Sequence, residues 1–108
     1  MNNNRSYHGT SAASAISIVA NGYNPDWDWI FASEFIDIAA AYAEHKAQEN
    51  HENIAIIIHI NAEANWEQGA SQIVEWETAV KNNPAIEFAI AAIAYKIHNK
   101  WIWFAVEA

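Results

Sequence analysis

The chain has 108 residues, of which 53% are hydrophobic, and this is enough for one compact domain with a single core. Thirteen acidic residues against five basic ones give a formal charge of −8, and Arg5 is the only arginine, so a basic surface for nucleic-acid phosphates cannot be assembled. The absence of cysteine excludes disulfides and thiol catalysis.

No apolar run is long enough to span a bilayer, and the N-terminus has no apolar signal core. We therefore expect a soluble protein without a membrane partner, and by default a cytoplasmic location. The residue usage is biased, with 16 isoleucines, 22 alanines and no leucine. Such a bias suggests an engineered or strongly biased sequence, in which a fold can persist while its chemistry is altered.

The first predicted elements are a short strand that ends at His8 and a helix that runs from about Ser11 to Asn21. Thr10 or Ser11 is suited to cap this helix, and Gly22 is suited to end it. Gly9 lies between this strand and this helix. A glycine there would allow a ligand to approach the backbone.

A second strand and helix follow. Trp27 to Ala32 is short and aromatic, which indicates a strand. Ser33 is the expected N-cap of the next helix, and Lys46 lies in its last turn. One face of this helix is apolar at helical spacing, through Phe35, Ile38, Ala39 and Tyr42. A polar break is expected over residues 48–52.

The second half of the chain is predicted to be mostly extended. Asn53 to Ile60 is apolar apart from Asn53 and His59, which indicates a strand covered on both faces and central in a sheet. Asn61 to Ala70 is predicted to be a loop, while Gln72 to Val80 fits helix and strand equally well. Ala85 to His98 is predicted to be extended, followed by a last strand, Trp101 to Val106. This order indicates an α+β fold, with a turn between the last two strands at Asn99 and Lys100.

Three segments resemble, in order and spacing, the ADP-ribosyltransferase family in its histidine–tyrosine–glutamate branch, which includes poly(ADP-ribose) polymerases and diphtheria-type toxins. They are Tyr7-His8-Gly9-Thr10, then Ile30-Phe31-Ala32-Ser33 with the helix through Tyr42, and Glu87-Phe88-Ala89-Ile90. The resemblance covers nearly the whole chain. It implies one small α+β domain over residues 1–108, with split, mostly antiparallel sheets and short helices in the N-terminal half.

The resemblance also implies a site for NAD, which is the substrate of that family, and no metal. His8 would hydrogen-bond a ribose hydroxyl, the Gly9 backbone would hold the nicotinamide carboxamide, and Tyr42 would stack on the nicotinamide ring. Glu87 would stabilise the cation that forms as nicotinamide leaves, because a preorganised carboxylate is effective where positive charge develops. The remaining residues assigned to NAD binding are Thr10, Phe31 and Ser33.

Two positions depart from the family pattern, since Ile30 and Ala39 stand where many members have a tyrosine and a serine or threonine. Each assigned residue also has an alternative role: Tyr42 could pack in the core, and Glu87 could face solvent. A second acidic candidate is Glu75-Trp76-Glu77, which resembles the paired glutamates of the arginine-specific branch, although a solvated face is the favoured interpretation there.

The expected function is therefore mono-ADP-ribosylation of a macromolecular acceptor, namely a protein. NAD glycohydrolase activity, with water as acceptor, is a sibling alternative. An alternative of another class is a non-catalytic protein-binding module on the same fold, either degenerate or engineered. NAD-dependent removal of a phosphate from RNA is disfavoured because the chain has a single arginine.

Overall fold

The computed structural model describes residues 5–27, 29–33, 35–61, 66–68, 77–81 and 86–106. These residues form, in chain order, β1 (Arg5–Ser11), α1 (Ala12–Asn21), β2 (Trp29–Ser33), α2 (Ile36–Glu49), β3 (Ile54–Asn61), β4 (Trp66–Gln68), β5 (Glu77–Lys81), β6 (Glu87–Ile97) and β7 (Lys100–Ala105). The strands are all paired antiparallel in the order β4-β5-β2-β1-β3-β6-β7. The predicted α+β class is confirmed. Within the described ranges, no helix is long and apolar enough to cross a membrane.

A narrow junction joins the two parts of this sheet. β1 pairs with β3 along its whole length, but among the described residues it pairs with β2 at a single position, where Tyr7 lies opposite Ser33. On one side of this pair the chain leaves β2 for α2, and the Phe35 N–H donates to Ser33 Oγ at 3.0 Å in that turn. The described strands thus form one sheet where split sheets were predicted, although its two parts share only this residue pair.

One helix covers each face of the sheet. α1 packs on an isoleucine-rich cluster formed by Ala15, Ile18, Ile30, Ile56, Ile58 and Ile60. α2 packs on an alanine-rich cluster formed by Ala39, Ala43, Ala47, Ala55, Ile57, Ala92 and Ala94. Because successive residues of a strand point to opposite faces, β3 contributes to both clusters. This confirms the prediction that it is a central, doubly covered strand.

Gly9 lets the backbone of α2 pack directly on β1. A Cβ atom at this position would overlap the carbonyl oxygen of Ala39 and would lie 2.7 Å from the backbone nitrogen of Ala43. Ala39 and Ala43 are four residues apart, and both are buried on the face of α2 that meets the sheet. The missing side chain of Gly9 therefore makes room for the backbone of α2. Ala39, one of the two positions that depart from the family pattern, takes part in this same contact.

α1 has the predicted bounds because both of its ends are capped as the sequence indicates. Ser11 Oγ accepts a hydrogen bond from the Ser14 N–H at 3.5 Å, and the Gly22 N–H donates to the Ile18 carbonyl at 2.8 Å. A distant carboxylate also contributes, since the Ala12 N–H donates to Glu52 Oε1 at 3.1 Å. A negative charge at this end is favourable to the helix dipole.

The predicted start of α2 is wrong by two residues. The helix begins after Phe35, which makes no side-chain capping bond, and Ser33 is instead the last residue of β2. The Ser33 hydroxyl accepts a bond from the N–H two residues on, which is the turn geometry that serine favours as an alternative to capping. The second strand is correspondingly shifted, to Trp29–Ser33.

In the second half, most predicted strands are confirmed and the loops are less accurate. The predicted loop over residues 61–70 contains a short strand, β4, which pairs with β5. The ambiguous segment ends as a strand from Glu77, while residues 69–76 lie outside the described ranges. The last turn falls at His98 and Asn99, not at Asn99 and Lys100. Both turn residues have positive φ, 51° and 63°, as a two-residue type I′ hairpin requires.

Gly22→Ala is expected to lower the free energy of unfolding by about 1–3 kcal/mol, because its backbone lies in a region that only glycine adopts without strain. Its φ is 83° and its ψ is 172°, and no atom lies within 4 Å of a Cβ built there, so the cost arises from the backbone alone. Unfolding in urea measures this loss of stability. The neighbouring exposed residue gives the control, since Asn21→Ala should change stability by less than about 0.5 kcal/mol. Equal midpoints for the two variants would contradict the argument.

Candidate functional site

A cavity of about 200 Å³ lies beside the junction of β1 and β2. The described residues that line it come from β1, the loop after α1, β2 and α2: Tyr7, His8, Gly9, Tyr23, Ala32, Ser33, Tyr42 and Lys46. Four predicted site residues, His8, Gly9, Ser33 and Tyr42, are thus brought to one place although they are far apart in the sequence. The cavity opens where the β1–β2 ladder stops after the pair Tyr7–Ser33.

Aromatic rings form much of the cavity wall. The rings of His8 and Tyr23 meet edge to face, with centroids 5.7 Å apart, and Tyr7 lies 5.8 Å from the ring of His59. Burial raises the pKa of the Tyr23 phenol above its ordinary value. Tyr42 is 42% exposed and belongs to neither core cluster, so the core-packing alternative does not describe it.

A larger groove of about 640 Å³ adjoins this cavity. The two share four lining residues, namely His8, Gly9, Tyr23 and Lys46. The groove is half apolar and half polar; the rest of its lining carries one carboxylate, Glu49, and hydroxyl and amide groups from Thr10, Ser11, Ser14, Ser17, Asn21, Asn24 and Asn50. Thr10, which the sequence also assigned to the site, therefore lies in the groove rather than in the small cavity. Trp27 lines the groove from the loop before β2.

Positive charge is scarce in both spaces. Among the described lining residues, Lys46 is the single lysine or arginine. Its ammonium lies 3.5 Å from a carboxylate oxygen of Glu49, one turn along α2, and its side chain is 59% exposed. The pair is thus solvated and close to neutral in sum. Hydroxyls, amides and aromatic rings, rather than cations, dominate what a ligand would meet.

Glu87 is not brought to this cavity. It is exposed on β6 and lies opposite Asn61 of β3, so β3 separates it from β1. Two strand spacings amount to about 10 Å before any displacement along the strands is counted. Glu87 lines neither the cavity nor the groove. Phe31, the last of the predicted residues, lies on β2 opposite Ala79 of β5.

The backbone of Glu77 lies closer to the cavity wall than that of Glu87, counted in strand spacings. Glu77 begins β5 and lies directly opposite Ser33, which in turn lies opposite Tyr7, so one strand spacing separates its backbone from a residue of the cavity wall. The signal in the sequence was the pair of glutamates Glu75-Trp76-Glu77. Glu75 lies outside the described residues.

Sequence reasoning missed Tyr23 and Lys46 as wall residues. Tyr23 directly follows Gly22, the residue that ends α1, and this position was visible in the sequence. Lys46 stands four residues after Tyr42, a spacing that puts both on the same side of a helix.

Known proteins give no further guidance to the site. Family models, curated proteins and solved structures were each compared with this chain, and none of them matched. Within the described ranges, no group of three His, Asp or Glu residues is placed to hold a metal ion. The functional argument therefore depends on the cavity, the groove and the residues that line them.

Proposed function

We propose that this chain is an ADP-ribosyltransferase-like domain that binds NAD and transfers ADP-ribose to a protein acceptor. One observation carries the proposal: His8, Gly9, Ser33 and Tyr42, which the resemblance assigned to NAD, line one cavity. A larger groove continues from it and contains Thr10. A small aromatic space beside a larger one that carries hydroxyl and amide groups fits a dinucleotide with a flat ring at one end.

The two spaces suit different parts of NAD. The nicotinamide ring would enter the small cavity and stack on Tyr42, since a flat aromatic ring is best held by another ring face. His8 lines both spaces and would hydrogen-bond the ribose between them. The hydroxyls and amides of the groove would meet the diphosphate and the second ribose. Lys46 is the cation available there, beside Glu49.

The reaction would need a carboxylate near the ribose of the nicotinamide. When the glycosidic bond breaks, nicotinamide leaves with the bonding electron pair and the ribose carbon becomes cationic. A fixed carboxylate stabilises that charge in the transition state. Glu77 is our candidate for this role in place of Glu87, because of its register with Ser33. The acceptor nucleophile would then form the new bond to the ribose carbon.

A non-catalytic protein-binding module is the second candidate function. It is favoured by an exposed apolar surface on β6 and β7, formed by Tyr95, Ile97, Ile102 and Phe104. Apolar surface of this kind is typical of protein contacts. NAD glycohydrolase activity uses the same cavity with water as acceptor. Measuring nicotinamide release from NAD, with and without added protein acceptors, separates the three: release that depends on acceptor indicates transfer, acceptor-independent release indicates hydrolysis, and no release indicates the module.

NAD and nicotinamide are each expected to raise the melting temperature, because a ligand selective for the folded state stabilises it by mass action. The free energy of unfolding rises by about 2.7 kcal/mol at a ligand concentration one hundred times the Kd. Tyr42→Leu should reduce the shift strongly. Tyr95→Leu is the matched control, since Tyr95 is 43% exposed and lines neither space. An unchanged melting temperature in millimolar NAD would contradict the proposal.

A further inference from the structure

We propose that the small cavity binds organic cations, of the N-alkylpyridinium or quaternary ammonium class, and discriminates them from neutral molecules of the same shape. The inference uses the same cavity as the proposed function, but it concerns what the cavity recognises and does not require any reaction. It would make positive charge on the ligand, rather than ring shape alone, the property that is selected.

The first argument is the composition of the wall. Four of the eight described lining residues are aromatic, and they come from three separate elements: Tyr7, His8, Tyr23 and Tyr42. The faces of aromatic rings carry negative partial charge, and a cation within about 6 Å of such a face is attracted to it. Several rings around one small space are the arrangement that holds quaternary ammonium groups in proteins.

The second argument is that the one charged side chain on the described wall, Lys46, is solvated and paired. The described wall residues include no carboxylate, and the aromatic rings are what a cation would meet there. The Lys46 ammonium lies 3.5 Å from Glu49, and the lysine side chain is 59% exposed, so its charge is screened by solvent and by its partner.

The third argument is the charge of the whole chain. A formal charge of −8 gives the molecule a field that attracts cations and repels anions. The field raises the local concentration of a cationic ligand but does not select its shape. Selection would come from the aromatic wall.

The experiment compares cations with neutral partners of similar shape, by calorimetry or by NMR titration of the full chain. The probes are choline against 3,3-dimethylbutan-1-ol, and 1-methylnicotinamide against nicotinamide. We expect each cation to bind about threefold to thirtyfold more tightly than its neutral partner, as cation–π contacts predict. Equal affinities within a pair, or no binding of either cation at millimolar concentration, would overturn the proposal.

Variants locate the effect. Tyr42→Leu should remove most of the cation preference and Tyr42→Phe should keep it, because phenylalanine retains the ring face. Tyr95→Leu, which removes a tyrosine of nearly equal exposure elsewhere, should leave the preference unchanged. Lys46→Gln should strengthen cation binding, since it removes a like charge from the wall. A loss that is equal in Tyr42→Leu and Tyr95→Leu would show that binding takes place outside this cavity.

The outcomes separate this inference from the proposed function. Cation selectivity without nicotinamide release from NAD would support the inference while the transferase proposal fails. Nicotinamide release with equal affinities for charged and neutral probes would support the transferase proposal and overturn the inference of cation selectivity.

Discussion

Gly9→Ala should lower the free energy of unfolding by about 3 kcal/mol or more, at or above the upper end of the usual range for an overpacked site. The added methyl group would overlap the Ala39 carbonyl oxygen and press on the backbone nitrogen of Ala43. These are main-chain atoms of a helix, so no side-chain rotation relieves the clash, and α2 has to move away from β1. Chemical denaturation with a fluorescence readout measures the change.

Ala89→Val is a suitable control for that experiment, because it also enlarges a strand residue but at an exposed position on β6. We expect it to alter stability by less than about 0.5 kcal/mol. Movement of α2 would also displace Tyr42 and Lys46 from the cavity, so Gly9→Ala should weaken NAD binding even where the protein remains folded. A Gly9→Ala variant as stable as the parent would show that α2 does not pack on β1 as described.

Local patterns in the sequence were sufficient for most individual elements. Ser11 and Gly22 mark the ends of α1 because each has a specific backbone bond to make, and both bonds are formed. The apolar run from Ile54 to Ile60 indicates a central strand because both faces of that strand are covered. In contrast, Ser33 led to a wrong prediction for the start of α2. A serine hydroxyl can accept a hydrogen bond from a backbone N–H in a turn as well as at a helix N-terminus.

The order of strands was beyond the reach of local patterns, and the site depends on it. β1 neighbours β2 and β3, β5 neighbours β2, and β6 neighbours β3. No spacing along the chain indicates that Glu77 starts the strand beside β2, or that β3 lies between Glu87 and His8. His8 and Tyr42 line one cavity, whereas Glu87, which the resemblance assigned to the same site, lines neither space, and its catalytic role stays a prediction.

Glu77→Gln is expected to reduce the rate of nicotinamide release by about two to three orders of magnitude, as the loss of one electrostatic stabiliser does elsewhere. The change keeps the shape and hydrogen-bonding capacity of the side chain but removes its charge. Affinity for NAD should fall much less, because the carboxylate acts mainly on the cation that forms in the transition state. The measurements are kcat from nicotinamide release and Kd from calorimetry on the same preparation.

Glu87→Gln is the matched control, since it makes the same chemical change at an exposed position that lies across β3 from the site strand. We expect its rate to stay within about twofold of the parent, because an exposed charge at that separation is screened by water. Collapse of activity in Glu87→Gln with full activity in Glu77→Gln would mean that the family resemblance identified the right residue and that the register argument is wrong. Equal and small effects in both would remove the need for either carboxylate and would contradict electrostatic stabilisation as the mechanism. A parent protein that releases no nicotinamide at all would contradict the transferase proposal itself and leave the protein-binding module.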